Sequence, residues 1–153
     1  MTLSTANIAA GIAALTVTGV TIKDIDEIPD GILGRDCPIL YPHPDSFVQG
    51  GAGAGDEGLE TFGTPTTRFW LFNRTYRYMY AHDIAGAGRG LKDHYPDMCA
   101  NLDAILEALV EMDVSGIDVQ SVTTGAFGLM TDPSGTQFYG FALDIVVREK
   151  VNP

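Results

Sequence analysis

The sequence predicts an α+β fold: a mostly antiparallel sheet with a long hairpin, packed against two helices. Three observations carry this. Residues 66–83 alternate over the length of a long strand; residues 96–112 repeat apolar side chains at helical spacing; residues 117–150 read as two strands joined by a turn. With 153 residues and 45% hydrophobic side chains, the chain has enough material for one buried core. The expected organisation is a single domain over 1–153, with an exposed, glycine-rich, acidic loop at 48–65.

Taken in order, residues 4–15 (STANIAAGIAAL) predict a first helix. Ser4 or Thr5 can cap it, and Ile8, Ile12 and Leu15 share one face. Gly11 weakens it. Residues 17–25 are β-branched and predict a strand. Pro29, Asp30 and Gly31 predict a turn. The stretch CPILYPHP (37–44) is extended, and its three prolines restrict it to an edge or to a position outside the hydrogen-bonded ladder. The segment after it, FVQGGAGAGDEGLETFGTP (47–65), reads as a long exposed loop or a hairpin tip.

TTRFWLFNRTYRYMYAHD (66–83) gives the strongest strand signal. Arg68, Trp70, Phe72, Arg74, Tyr76, Tyr78 and Tyr80 fall on one face. Phe69, Leu71, Asn73, Thr75, Arg77 and Met79 fall on the other. Gly86, Gly88 and Gly90 end the pattern. A helix is expected from Pro96 to Met112, with Pro96 and Asp97 in its first turn and Met98, Leu102, Ile105, Leu106, Leu109 and Met112 as its apolar stripe. Strands at 117–130 and 136–150 close the chain around a turn at 131–135, where Pro133 and Gly135 supply the backbone angles.

The charge is −11 and uneven. Residues 1–65 carry a net −7, residues 66–92 a net +4, and residues 93–153 a net −8. Such acidity argues against a surface that grips DNA phosphates. It suits either simple solubility or a wall past which DNA slides without sticking. The basic middle segment of one copy can meet an acidic face of another. Cys37 and Cys99 make neither a disulfide framework nor a metal site. The apolar stretch at 8–20 is interrupted and too short to span a bilayer, so the expectation is a soluble chain made in the cytosol, with no membrane partner.

Signatures of chemistry are sparse. The glycines at 86, 88 and 90 lack the third glycine of a dinucleotide loop, since Leu91 stands there, and lack the Gly-Lys-Ser/Thr of a phosphate loop. His43, His82 and His94 lack helical ligand spacing, although His82, Asp83, Asp93 and His94 can meet in space. No Gly-x-Ser-x-Gly nucleophile is present, and paired carboxylates discriminate nothing in so acidic a chain. The expectation is a protein that is not an enzyme, with no catalytic residue, no cofactor and no metal.

The aromatic strand is more informative. Trp70, Tyr76, Tyr78 and Tyr80 share a face with Arg68 and Arg74, a composition that interface centres favour. An aromatic core face is the competing reading, and the arginines weigh against full burial. The candidate interface residues are therefore Arg68, Trp70, Arg74, Tyr76, Tyr78 and Tyr80, with Arg89 from the glycine segment.

The order of elements resembles a known family. A short helix leads to CPILYP. An acidic glycine-rich loop then precedes RFWLFNRTYRYMY, followed by the helix MCANLDAILEALVEM and a last strand FYGFALDIVVREK. The pattern is similar to the tail terminator, or tail completion, proteins of long-tailed bacteriophages and their neck and tail-joining relatives. That resemblance implies a virion protein of the tail or neck, assembled in the host cytoplasm as a hexameric ring. The ring would cap the tail tube protein, bind the head–tail connector protein and let DNA pass through its lumen without specific binding. A tail tube or neck stopper protein is the alternative within the same class; a small-ligand-binding α+β domain using Gly86–Gly90, His82 and His94 is the alternative outside it.

Overall fold

Alternation along two long segments builds the centre of the molecule. The computed structural model describes residues 5–43, 58–62, 69–86, 90–132 and 134–151. Strand β4 (Phe69–Ile84) and strand β7 (Gln137–Val151) run antiparallel along nearly their whole lengths, from Trp70 opposite Val151 to Ile84 opposite Phe138. The remaining strands flank this pair. β1 (Thr21–Ile22), β2 (Ile39–Pro42) and β3 (Gly58–Phe62) lie on the β4 side; β5 (Ile117–Thr124) and β6 (Gly128–Thr131) lie on the β7 side. All pairings are antiparallel except the two-residue β1–β2 pair. The fold is thus α+β with a mostly antiparallel sheet, as expected.

The two helices among the described residues pack on one face of the sheet. From α1 (Thr5–Ala13), Ile8 and Ile12 enter the core; from α2 (Leu91–Val110), Met98, Ile105 and Leu109 do. They meet Tyr76, Tyr78 and Tyr80 of β4 and Phe141, Leu143, Ile145 and Val147 of β7. Residues opposite each other in register share a face, so these two rows form one continuous apolar surface. Gly11 has a tertiary reason to be small. A Cβ there would stand 2.9 Å from the Val114 side chain, so glycine lets α1 approach the turn after α2.

A second, smaller core lies on the opposite face at one end of the sheet. There the segment after β1 folds back, and Ile32, Ile39, Tyr41, Ala81 and Phe138 cluster. Asp132 staples that segment down. Its carboxylate accepts the Ile32 N–H at 2.7 Å, the Ser134 and Thr136 N–H groups at 2.9 Å each, and the Ser134 hydroxyl at 2.7 Å. Burial pushes this carboxyl up, but the four hydrogen bonds to the charged form outweigh it and hold it below the usual range.

Several sequence expectations are corrected. Only Thr21–Ile22 of the expected 17–25 strand is laddered; Gly19 takes a positive φ of 80° in a turn, and Ile25–Glu27 forms a short 3₁₀ turn capped by Asp24. β2 is not an edge strand. Pro38 precedes it and Pro42 ends it, so Ile39, Leu40 and Tyr41 keep their donors, and β2 sits between β1 and β4. Of the expected loop at 48–65, residues 58–62 are strand β3, paired with residues 69–73; the rest of that loop lies outside the described residues. The expected strand 117–130 is two strands, interrupted at residues 125–127. Helix α2 starts five residues before Pro96. Gly90 takes the N-cap position, and its N–H donates to the Asp93 carboxylate at 3.1 Å. Pro96 therefore lies inside the helix, where it forgoes one backbone hydrogen bond.

Candidate functional site

The candidate interface residues divide sharply. Tyr76, Tyr78 and Tyr80 are 2%, 0% and 0% exposed, so they are core residues of one subunit and not docking residues. The pairing of β4 with β7 gives the physical reason: it turns this face toward both helices, where burial of three aromatic rings is most favourable. Arg74 shares the face without opposing burial. It is half-buried, and its guanidinium Nη1 donates to the Tyr76 hydroxyl at 3.3 Å. Trp70 lies in β4 opposite Thr61 and Val151. Arg68 and Arg89 lie outside the described residues.

Among the described residues, no helix packs on the opposite face of β4, β7 and β5. Its rows are Asn73, Thr75 and Arg77 on β4, Asp144, Val146 and Arg148 on β7, and Asp118, Ser121 and Thr123 on β5. The charged members are arranged as cross-strand pairs. Arg77 grips Asp144 with two nitrogens, Nε at 2.8 Å and Nη2 at 3.1 Å. Arg148 Nε donates to Asn73 Oδ1 at 3.0 Å, and Arg148 also stands opposite Asp118. These contacts hold the side chains flat against the sheet while leaving them partly accessible, with Arg77 36% and Asp144 29% exposed. Hydrogen bonding to Asp144 is the main influence that raises the Arg77 pKa. The result is a braced, largely polar face, with buried Thr75 and half-buried Val146 between the two charged pairs. Sequence reasoning passed over Asp144 and Arg148. The available signal was the alternation of FYGFALDIVVREK, whose polar members are one residue out of phase with its apolar row.

A polar corner joins α2 to the end of β4. Asn101 Nδ2 donates to the Tyr80 hydroxyl oxygen at 2.7 Å, and that hydroxyl is 2.8 Å from His82 Nδ1. With its oxygen already accepting from Asn101, the phenol has its own hydrogen available for Nδ1, an arrangement that requires the Nε2–H tautomer of the neutral ring. The His82 and His94 ring centres are 5.2 Å apart, and His94 packs on Tyr139 at 5.5 Å. Burial lowers the His82 pKa, and His94 lowers it further, against the opposing pull of Asp97 and Asp83. Burial also raises Tyr80 to about 12 and, with Asp83 and Asp36, raises Cys37 to about 11. At neutral pH the Cys37 thiol is therefore protonated and a weak nucleophile.

His82, Asp83 and His94 thus do meet, and Asp97 joins them, while Asp93 serves as a helix cap. His94 is a buried helical residue, not the loop residue that the sequence suggested. The cleft they line, with Gly34, Cys37 and Pro38, holds about 230 Å³. That is below the ~300–1,000 Å³ of ordinary small-molecule sites. Among the described residues no group of three or more ligating side chains is placed to hold a metal ion. No helix among them is long and apolar enough to cross a membrane.

Compared with models of known protein families and with curated proteins, the chain matches none.

Proposed function

We propose that this protein is a structural assembly subunit: a tail terminator of a long-tailed bacteriophage, forming a ring, hexameric in the family it resembles, that caps the tail tube and meets the head connector. The supporting observation is the one-sided architecture. Among the described residues, both helices cover one face of the sheet, and the other face of β4, β7 and β5 carries the braced pairs Arg77–Asp144 and Arg148–Asn73. A ring subunit needs a rigid body with uncovered lateral surfaces, and this arrangement supplies one. The net charge of −11 is compatible with a lumen in which DNA stays mobile.

Electron microscopy tests the reading. Short closed rings of the purified protein, or a ring at the top of tail tubes in native particles labelled through this chain, are expected. Long unaided filaments would identify a tube protein instead. A chain that neither forms rings nor decorates any part of a virion refutes the assembly role.

The His82–His94 cleft gives the ligand-binding alternative its one specific observation. Thermal-shift screening with nucleotides and divalent metals decides it. A shift that disappears in His82→Ala and His94→Ala would favour ligand binding over assembly.

A further inference from the structure

Two histidines hold the start of α2 to the sheet. His82 stands at a β-bulge: Ala81 pairs with Gly140 and Asp83 with Tyr139, so His82 is the extra residue with no opposite number on β7. A bulge re-aims a side chain, and here the His82 ring lies beside His94 of α2, with ring centres 5.2 Å apart. His94 also packs on Tyr139 of β7. It is the one buried residue of residues 91–95. The helix itself holds this turn weakly. Gly90 caps it without a side chain, and Pro96 has no N–H to offer the Lys92 carbonyl. Apart from Tyr95, half-exposed against Phe127, the turn depends on His94 for its packing.

Acid changes the contacts at this corner. With His82 neutral, Tyr80 accepts from Asn101 and donates to His82 Nδ1, so the phenol uses both its oxygen and its hydrogen. A proton on Nδ1 turns that acceptor into a second donor aimed at the same oxygen. It also strands the phenol hydrogen of a fully enclosed side chain. A proton on His94 as well puts two like charges side by side. The other groups around the ring are Asp83 from β4, Asp97 from α2 and Cys37 from the 3₁₀ turn Gly34–Asp36. Burial, then Asp83 and Asp36, keep the Cys37 thiol protonated and uncharged. Asp97 and Asp83 favour a charged His82, but Asp97 is exposed and Asp83 already accepts the Ile84 N–H at 2.8 Å. Burial and then His94 outweigh them, so the closed corner resists protonation of His82. By linkage, protons favour the open corner. The cleft of about 230 Å³ between these side chains gives water a path to both rings.

We propose that His82 and His94 form an acid-sensitive latch: neutral, they clamp the first turn of α2 to the bulged end of β4, and on protonation they release that turn while the rest of the helix stays docked. The part that stays is held by apolar contacts of Ile105 and Leu109 with the sheet.

Amide hydrogen exchange of the full chain, followed by NMR and expressed as protection factors, tests this. The reporters are Tyr95, Asp97 and Met98, whose N–H groups bond to the carbonyls of residues 91, 93 and 94 in the helix. Between about pH 7.5 and about pH 5 they should lose about tenfold in protection, as expected for a difference of about one unit between the closed and open histidine pKa. At both pH values they should exchange at least about tenfold faster than Ile105 and Leu109, which marks opening of the turn without the domain. His82→Gln, whose amide oxygen accepts from Tyr80 without titrating, should remove most of the loss; His94→Phe, which keeps a ring on Tyr139, should reduce it. The unmutated chain supplies a measurement that needs no variant: the His82 imidazole and the reporter amides should shift with one midpoint, below ~6.5. Reporter protection that does not change with pH, or that falls equally in a folded His82→Gln protein, overturns the latch. So do reporters no faster than Ile105 and Leu109, or a His82 midpoint at or above that of a free imidazole.

Discussion

Replacing Tyr78 by alanine tests the assignment of the tyrosine row to the core. Tyr78 is fully enclosed, opposite Leu143 on one side and Pro42 on the other, beneath both helices. A buried tyrosine removes roughly 150–250 Å² from water. At about 25 cal/mol per Å², the transfer loss for most of that ring is ~3–5 kcal/mol, and large-to-small aromatic substitutions in cores cost about the same. A domain of this kind has roughly 5–15 kcal/mol in total. Tyr78→Ala should therefore lower the urea midpoint substantially at constant slope, or leave the chain unfolded. Arg77→Ala, one residue earlier on the opposite face, is the paired control. It removes a partly exposed ion pair and should cost about 1 kcal/mol or less. Equilibrium urea unfolding followed by far-ultraviolet circular dichroism measures both. If Tyr78→Ala loses less than about 1 kcal/mol, or no more than Arg77→Ala, the tyrosine row is not the core and the face assignment fails.

Charge reversal at Arg77 (Arg77→Glu) places two carboxylates together on the polar face of the sheet; if that face contacts a partner, ring formation or tube binding falls while the thermal melt shifts only slightly. Asp132→Ala removes the acceptor of four hydrogen bonds and should cost ~2–3 kcal/mol, a fall of about 5–10 °C in Tm by differential scanning calorimetry. Because the folded-state pKa of Asp132 is depressed, its contribution is present above the ordinary carboxylate pKa and lost as pH falls through the folded value. His82 also has a depressed folded-state pKa, so protons favour the unfolded chain: its contribution is intact above the ordinary imidazole pKa and declines as pH drops below it. His82→Gln should flatten that part of a stability-against-pH curve. Gly140→Ala should destabilise by ~1–3 kcal/mol, because the new Cβ would overlap the Tyr80 carbonyl oxygen of the neighbouring strand, a backbone atom that cannot swing away.

Local signals located most elements but not their partners. The apolar stripe of α2 and the alternation of β4 and β7 were legible because both periods repeat many times. The start of α2 was not, since the usual preference for proline in a first turn pointed to Pro96, whereas Gly90 and Asp93 supply the actual cap. The length of β2 was hidden by prolines that flank the strand without interrupting it. The histidine corner could not be read because His82 and His94 approach only when α2 packs across the end of β4. Asp132 was equally hidden, since its partner Ile32 lies 100 residues away in sequence.

The misplaced tyrosines show where a strand pattern runs out. Alternation divides β4 into two faces but does not say which one a helix will cover, because both faces carry large apolar groups. The choice depends on β7, a strand more than fifty residues later. Its apolar row, Phe141, Leu143, Ile145 and Val147, stands opposite Tyr80, Tyr78, Tyr76 and Arg74 in register, and pairing the two rows makes the larger apolar surface. Arg74 seemed to forbid that burial, yet its half-buried stem and the Tyr76 hydroxyl accommodate it. Once the tyrosines are assigned inward, they cannot also anchor a neighbouring chain. Under the proposed assembly role, a partner surface must then come from what the two described helices leave uncovered, and the Arg77–Asp144 side of the sheet is one such surface. It is ion-paired and partly accessible, so it suits a contact that forms and exchanges water. In the proposed assembly that property fits a meeting with a separate partner better than a permanent contact between copies.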